Sequence, residues 1–169
     1  MAEQKLRRII SDGQAGVDRA ILDVAKVYGV SSGGWCPKSG MAEDGHISAS
    51  YHLRSTASES PCVRVQRNIH ESDATLLITF GTTSELAHKI TTLSEEASHP
   101  ILHIDMARMV DTAMVEEWLT EHKVNVLYVV GTNESSAPGI YRRTRKFFNH
   151  LFEEMEKHQH LVVHHSQPH

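Results

Sequence analysis

The stretch from Ile9 to Ala20 joins an apolar, β-branched run to an amphipathic pattern through two glycines, Gly13 and Gly16. Apolar residues then recur at helical spacing from Val17 to Tyr28, so we predict a strand, a tight loop and a helix. A helix that begins after such a loop offers unpaired N–H groups to a phosphate. The same glycines would also allow close packing of helix on strand, and the sequence leaves both interpretations open.

Apolar runs and helical patterns alternate along the rest of the chain. Ala74–Thr79 and Val124–Val130 are continuous apolar runs, typical of strands buried on both faces, and Gly81 and Gly131 follow them. We therefore predict an α/β fold of the Rossmann-like, doubly wound type, with a mainly parallel sheet and helices on both faces. Because parallel strands end at one edge of the sheet, we expect the glycine loops to converge there on one ligand crevice.

The predicted elements have approximate boundaries. Besides the two apolar runs, the predicted strands are Lys5–Ser11, a short one within Val30–Pro37, and Pro100–Asp105. The predicted helices are Gly16–Tyr28, one that begins at Pro61, one from Leu86 to Ala97, Asp111–His122 and one that begins near Pro138.

Composition predicts one domain, residues 1–157, with an ordinary balance of 40% apolar and 22% charged residues in 169. The net charge of −4 argues against general nucleic-acid or membrane-surface binding. We find no signal-peptide pattern and no run that would cross a bilayer. We therefore expect a cytoplasmic protein in which Cys36 and Cys62 are free thiols.

Thirteen histidines occur, and five lie in the last twelve residues: His158, His160, His164, His165 and His169. A metal site needs fixed ligand spacing on a defined element, whereas these residues follow a helix. We therefore expect residues 158–169 to form a flexible, His-rich tail without a specific metal site.

The predicted short strand within Val30–Pro37 leads into a loop that continues to about Ser60. This loop lacks periodicity and is long for a compact domain. Such loops are typically lids or binding loops, and this one carries Trp35, Lys38, Glu43 and Asp44. Trp35 is predicted either to stack on a ligand or to plug the core beneath the loop.

Thr82 and Glu85, which follow the second apolar run, have the spacing of a capping box at the start of the next helix. Capping accounts for both residues, so the spacing alone does not make Glu85 catalytic.

Several segments taken together resemble the molybdenum cofactor carrier family. They are Ile10–Ala20 (ISDGQAGVDRA), residues 33–38 (GGWCPK), Ala42–Gly45 (AEDG), Asn68–Thr75 (NIHESDAT) and residues 129–141. The family is Rossmann-like and is related to the lysine-decarboxylase-like phosphoribohydrolases. The resemblance implies the same fold and a carrier of molybdopterin, the phosphorylated pterin that binds molybdenum.

Three segments depart from the family pattern. Asp12 and Ala15 stand where the family has a glycine and a threonine, and the loop at Gly81 is shorter. The segment Gly131–Ser135 lacks the arginine of the family motif. We therefore expect the fold to transfer from the family more readily than the ligand.

The leading hypothesis is a binding or carrier protein for a phosphorylated heterocycle of molybdopterin or nucleotide type, working as a homo-oligomer. One alternative is a nucleoside-monophosphate hydrolase that uses Glu85 in the related Gly81-Thr82-x-x-Glu85 pattern, and another is a ligand-sensing partner protein. The predicted ligand-binding residues are Gly13, Gln14, Gly16, Asp18, Arg19, Gly34, Trp35, Lys38, Glu43, Asp44, Asn68, Gly81, Thr82, Thr83 and Gly131.

Overall fold

The computed structural model describes residues 5–164 as alternating strands and helices. The first part of the chain contains β1 (Arg8–Ile10), α1 (Val17–Tyr28), β2 (Ser31–Gly33), β3 (Trp35–Cys36), β4 (Met41–Ala42), β5 (Gly45–His46), a 3-10 turn (Ala49–Tyr51) and β6 (Arg54–Ser55). The second part contains α2 (Pro61–His70), β7 (Ala74–Thr79), α3 (Glu85–Glu96), β8 (Ile101–Asp105), α4 (Thr112–Glu121), β9 (Val126–Gly131) and α5 (Ile140–Lys157).

The central sheet has five strands in the order β2-β1-β9-β7-β8, and every neighbouring pair is parallel. Ile9 lies opposite Leu127, and Leu76 lies opposite Val129, so β9 is the middle strand. Every residue of β7 is buried, as its continuous apolar sequence predicts.

Helices cover both faces of the sheet and enclose two apolar cores. The larger core packs α1, α4 and α5 on one face, and the smaller core packs α2 and α3 on the other. The doubly wound α/β fold predicted from the sequence is therefore confirmed.

The strand order has a simple relation to that of dinucleotide-binding sheets. The strands can be renumbered 1 to 5 in the sequence β9, β1, β2, β7, β8. The order across the sheet then becomes 3-2-1-4-5, which is the order found in those proteins. The chain therefore starts at the second strand of that pattern and reaches the first strand last.

The segment between β2 and α2, predicted as a long loop, contains four two-residue strands. β3 pairs with β6 in parallel, and β4 pairs with β5 as a small antiparallel hairpin. The side chains of Ile47 and Leu53 approach Gly13, so this segment covers the loop after β1.

The residues after α5 are held against the body of the protein. Leu161 pairs with Leu6 and is 7% exposed, and the His164 N–H donates to the Gly29 carbonyl at 2.7 Å. The prediction of a flexible tail is therefore wrong for residues 158–164, which are bonded to the body of the protein. His165 and His169 lie outside the described residues.

Cys36 and Cys62 are both free thiols. Between residues 5 and 164, none of the helices is long and apolar enough to span a membrane.

Candidate functional site

A cavity of about 800 Å³ lies at the edge of the sheet where β1 and β9 end. It is bounded by the start of α1, the β4–β5 hairpin, the 3-10 turn and the loop between β9 and α5. The lining residues are Ala15, Gly16, Arg19, Asp23, Glu43, Asp44, Tyr51, Glu134, Ser135, Pro138 and Tyr141. Its volume is within the range of small-molecule sites in proteins.

The start of α1 forms one wall of the cavity. Gly16 is the N-cap residue, with φ of +93°, and a Cβ there would lie 2.4 Å from the Thr132 carbonyl oxygen. The Val17 N–H donates to that same carbonyl at 3.2 Å. The glycine therefore lets two loops at the sheet edge pack backbone to backbone, which is the packing role that the sequence left open.

Arg19 supplies the positive charge of the cavity. Its guanidinium donates two hydrogen bonds to Asp44, at 2.8 and 3.1 Å, and one to the Gly13 carbonyl at 3.0 Å. These hydrogen bonds lower the pKa of Asp44, so its carboxylate stays ionised at neutral pH. The Arg19 Nε is buried, and it has no hydrogen-bond partner among residues 5–164. Arg19 therefore keeps an unused donor beside the cavity.

Two glutamates occupy N–H groups in the loop after β9. Glu134 accepts hydrogen bonds from the N–H groups of Gly139 and Tyr141, at 2.6 and 2.8 Å, at the start of α5. Glu43 accepts from the N–H and the hydroxyl of Ser135, which ties the β4–β5 hairpin across the cavity to this loop. Carboxylates of the protein itself therefore occupy part of the amide surface that an anion would use.

Two tyrosines from distant parts of the sequence meet at Asp23, one turn along α1 from Arg19. The hydroxyls of Tyr51 and Tyr141 both donate to the Asp23 carboxylate. Burial, together with this hydrogen bond to Asp23, raises the pKa of both hydroxyls, so the tyrosines remain neutral donors. This part of the cavity wall thus combines aromatic surface with a negative charge.

Four carboxylates, from Asp23, Glu43, Asp44 and Glu134, and one guanidinium line the cavity. Carboxylates accept hydrogen bonds from the N–H and amino groups of a heterocycle, whereas Arg19 pairs with an anion. The arrangement therefore suits a ligand with N–H donors and at most one compact negative group, and it disfavours a polyanion.

A buried polar network lies beneath the cavity. The Asp12 carboxylate accepts hydrogen bonds from Arg64 at 2.9 Å, from Asn68 at 2.6 Å and from the Tyr128 hydroxyl at 2.6 Å. Burial raises the pKa of Asp12, and the nearby Arg64 opposes that increase. Asp12 therefore points into the protein, so its replacement of the family glycine adds no negative charge to the cavity wall.

Asp18 is also buried rather than exposed to a ligand. It accepts a hydrogen bond from the Gly131 N–H at 3.1 Å, which joins α1 to the end of β9. Burial and the nearby Asp12 raise the pKa of Asp18 well above its ordinary value. Asp18 and Gly131, both predicted as ligand-binding residues, here bond to each other.

The structure brings four of the predicted binding residues to the cavity, namely Gly16, Arg19, Glu43 and Asp44. The other eleven do not line it: Gly13, Gln14, Asp18, Gly34, Trp35, Lys38, Asn68, Gly81, Thr82, Thr83 and Gly131.

Two of these residues, Gln14 and Lys38, belong to the loops around the cavity. The Gln14 side-chain amide approaches the Met41 carbonyl at 3.5 Å, beside the hairpin. The exposed Lys38 hydrogen-bonds through its backbone to Ser58.

Trp35 and Asn68 stabilise the loop outside the cavity. The Asn68 side chain accepts from the Trp35 N–H at 2.8 Å, and the Trp35 indole N–H donates to Glu71 at 2.9 Å. Arg67 lies 4.7 Å from the centre of the Trp35 ring. Trp35 is partly exposed and stacks with an arginine, so it is neither a core plug nor a cavity wall.

The loop at Gly81 lies apart from the cavity. The Gly81 N–H donates to Asp105 at 2.8 Å, and Thr82 and Thr83 are exposed. The predicted capping box is wrong, because Ser84 is the N-cap of α3 and its hydroxyl accepts from the Ala87 N–H. Glu85 is exposed in the first turn of α3 and does not line the cavity.

The remaining seven lining residues were not predicted from the sequence: Ala15, Asp23, Tyr51, Glu134, Ser135, Pro138 and Tyr141. Asp23 carries a usable signal, because it lies four residues after Arg19 on the same face of α1. Tyr51 has no such signal, since only the fold brings its 3-10 turn to α1.

Comparison with known proteins agrees with this architecture. The family model described as the circularly permutated YpsA SLOG family matches residues 9–152. The crystal structure of a protein from Syntrophus aciditrophicus SB that carries the name molybdenum carrier protein superposes with a TM-score of 0.84 and 30% sequence identity. The match covers 89% of this chain and 97% of that one. A comparison with curated proteins gives no match.

The family description also accounts for the strand order, since the sheet has a dinucleotide-binding order once counting starts at β9. The family match and the structural match cover the same α/β domain. This chain belongs to the circularly permutated YpsA SLOG family.

Proposed function

We propose that the protein binds a phosphorylated heterocycle of pterin or nucleotide type in the 800 Å³ cavity and acts as a carrier for it. The observation that carries this proposal is the Arg19 guanidinium in the cavity lining, next to the start of α1. A ligand phosphate placed there would pair with the guanidinium and would lie at the positive end of the helix dipole.

The phosphate would compete with Asp44 for Arg19. The Asp44 side chain is 51% exposed, so it can turn into water when a stronger anion takes its place on the guanidinium. The hairpin that carries Asp44 would then remain tied to the far wall through Glu43 and Ser135.

The ring of the ligand would face the acidic wall. Pterin and guanine rings both present adjacent N–H and amino donors, which a carboxylate recognises as a pair. Glu43 and Asp23 offer carboxylates for this contact, and Tyr51 offers an aromatic surface beside them. The proposed pose therefore gives each end of the ligand a complementary charge.

The molybdenum cofactor fits this donor set as a phosphorylated pterin. Arg19 and the start of α1 would hold its phosphate, and Glu43 or Asp23 would hold its pterin edge. When bound, the cofactor itself would carry the metal, and neither Cys36 nor Cys62 lines the cavity. The name of the Syntrophus aciditrophicus protein supports this ligand class.

The hydrolase alternative has no supporting geometry, because Glu85 lies outside the cavity. The predicted homo-oligomer stays a prediction. The aromatic α5 residues Phe148 and Phe152 are fully buried in the core of the chain.

The test measures binding of molybdopterin, GMP, guanosine and inorganic phosphate by calorimetry. Arg19→Gln should weaken binding of the phosphorylated ligand at least tenfold, because it removes the only guanidinium of the cavity lining. Asp44→Asn should strengthen binding of the phosphorylated ligand relative to guanosine, because it releases Arg19. Arg108→Gln, which alters a side chain that is 84% exposed and outside the cavity, is the matched control and should have no effect.

The proposal fails if none of the four compounds binds saturably. It also fails if Arg19→Gln and Arg108→Gln bind the phosphorylated ligand equally well. Far-UV circular dichroism of each variant verifies that the fold is intact.

A further inference from the structure

A second cavity, of about 610 Å³, lies between α4 and α5 on the face of the sheet that α1 also covers. At one end of it, His158, His160 and Glu116 place three ligand atoms within 4.8 Å of one another. Glu116 is buried, with 7% of its surface exposed. We propose that these three residues form a binding site for a divalent transition-metal ion, with zinc as the best match.

The donor set and its spacing suit zinc. The Nδ1 atoms of both histidines face the Glu116 carboxylate, at 3.0 Å for His158 to Oε2 and 3.2 Å for His160 to Oε1. Zn–N and Zn–O bonds of about 2.1 Å place neighbouring ligand atoms of a tetrahedral site about 3.4 Å apart. Only small side-chain adjustments are therefore needed to exchange these hydrogen bonds for bonds to a metal.

The backbone holds both histidines in place. His158 ends α5, and the His160 N–H donates to the Met155 carbonyl at 2.8 Å. The next residue, Leu161, pairs with Leu6, and the Val162 N–H donates to the Leu6 carbonyl at 2.9 Å. The ligands are therefore preorganised, in contrast to the flexible tail predicted from the sequence.

The surroundings favour a cation and leave it accessible. Asp111, Glu117 and Glu154 line the cavity together with Glu116, and no lysine or arginine belongs to that lining. His150 and Glu154 line the same cavity further back along α5, where Glu154 forms an ion pair with Lys157 at 3.2 Å. Three protein ligands with an open position are typical of zinc sites that bind water or a further ligand.

This site is independent of the cavity at the edge of the sheet. It also lies partly outside residues 9–152, the part that the family model matches, because both histidines follow that segment. The inference therefore rests on the side chains of this chain alone.

The test titrates chelator-treated, full-length protein with Zn²⁺ by calorimetry and with Co²⁺ by visible absorption. We expect one ion per chain at the site. His158→Ala/His160→Ala and Glu116→Gln should each weaken Zn²⁺ binding at least tenfold and abolish the absorption of coordinated Co²⁺. Zn²⁺ should also raise the Tm of the wild type but not that of the double variant, since an ion that binds only the folded state stabilises it.

The chain has many other histidines, so two double variants serve as controls. His70→Ala/His88→Ala removes two histidines remote from the cluster, and His165→Ala/His169→Ala removes two that follow it. Both should bind Zn²⁺ like the wild type. Wild-type affinity in His158→Ala/His160→Ala, or a loss of affinity in His165→Ala/His169→Ala alone, overturns the proposal. If the double variant does not fold without metal, Glu116→Gln and the single variant His158→Ala decide the result.

Discussion

Gly16 shows how one residue without a side chain sets the geometry of the edge of the sheet. Besides the Thr132 oxygen at 2.4 Å, a Cβ at this position would meet the Glu134 N at 2.7 Å, and both contacts are with backbone. Backbone atoms cannot rotate away as a side chain does. The close approach of the β9–α5 loop to α1 therefore depends on glycine.

We predict that Gly16→Ala lowers the free energy of unfolding by about 2–4 kcal/mol, through strain at positive φ and the clash with the loop. Urea denaturation measures the change. Gly139→Ala serves for comparison, because Gly139 also has a positive φ, +94°, with ψ of −4° against −126° at Gly16, and nothing lies within 4 Å of its Cβ position. Equal losses in the two variants would show that strain alone, and not loop contact, makes Gly16 necessary.

Asp12 shows what residue-level reasoning from sequence leaves open. Its position in a glycine loop suggests a charge beside the ligand, whereas the structure buries it against Arg64 and Tyr128. Those partners lie 52 and 116 residues away in the chain. No local pattern encodes such a contact, so the direction of the Asp12 side chain was not predictable from sequence.

The start of α3 gives a prediction at the level of a single helix. Its N-cap is Ser84, whose hydroxyl accepts from the Ala87 N–H at 3.1 Å. Ser84→Ala should therefore lower the free energy of unfolding by about 1 kcal/mol, measured by urea denaturation. Thr82→Ala, at the position that the sequence pattern favoured, should change it by less than about 0.5 kcal/mol. A larger loss of unfolding free energy in Thr82→Ala than in Ser84→Ala would show instead that Thr82 caps α3.

Long elements were predictable from sequence because their own periodicity defines them. Ala74–Thr79 is a strand with the predicted bounds, and α1 and α4 begin within one residue of the predicted positions. The segment from β3 to β6 was not predictable, because its strands have two residues each, which is too few to show a periodicity. Six of the eleven lining residues belong to this segment or to the β9–α5 loop, and only two of these six, Glu43 and Asp44, were predicted from the sequence.

For the molecule as a whole, the strand order predicts tolerance to a new set of chain ends. Leu6 and Leu161 pair with each other, so the chain can be joined there through its own terminal residues and a short Gly-Ser linker. Opening the chain after the exposed Lys123 would then place β9 first and give the order 3-2-1-4-5.

We predict that this permuted protein folds and unfolds cooperatively, as measured by far-UV circular dichroism during heating. As the control, the same joined chain opened after Leu77, within the fully buried β7, should not fold, because the break removes ladder hydrogen bonds at the centre of the sheet. Failure of the Lys123 permutant alongside a soluble wild type would show that the present chain order is required for folding.

The central position of β9 also has a consequence for synthesis on the ribosome. β1 pairs with β2, and β7 pairs with β8, but the two pairs touch only through β9. A nascent chain that has not yet released residues 126–131 therefore holds two separate half-sheets with exposed inner edges. The sheet is complete only after β9 has left the ribosome, and until then those edges depend on rapid elongation or on chaperones for protection from aggregation.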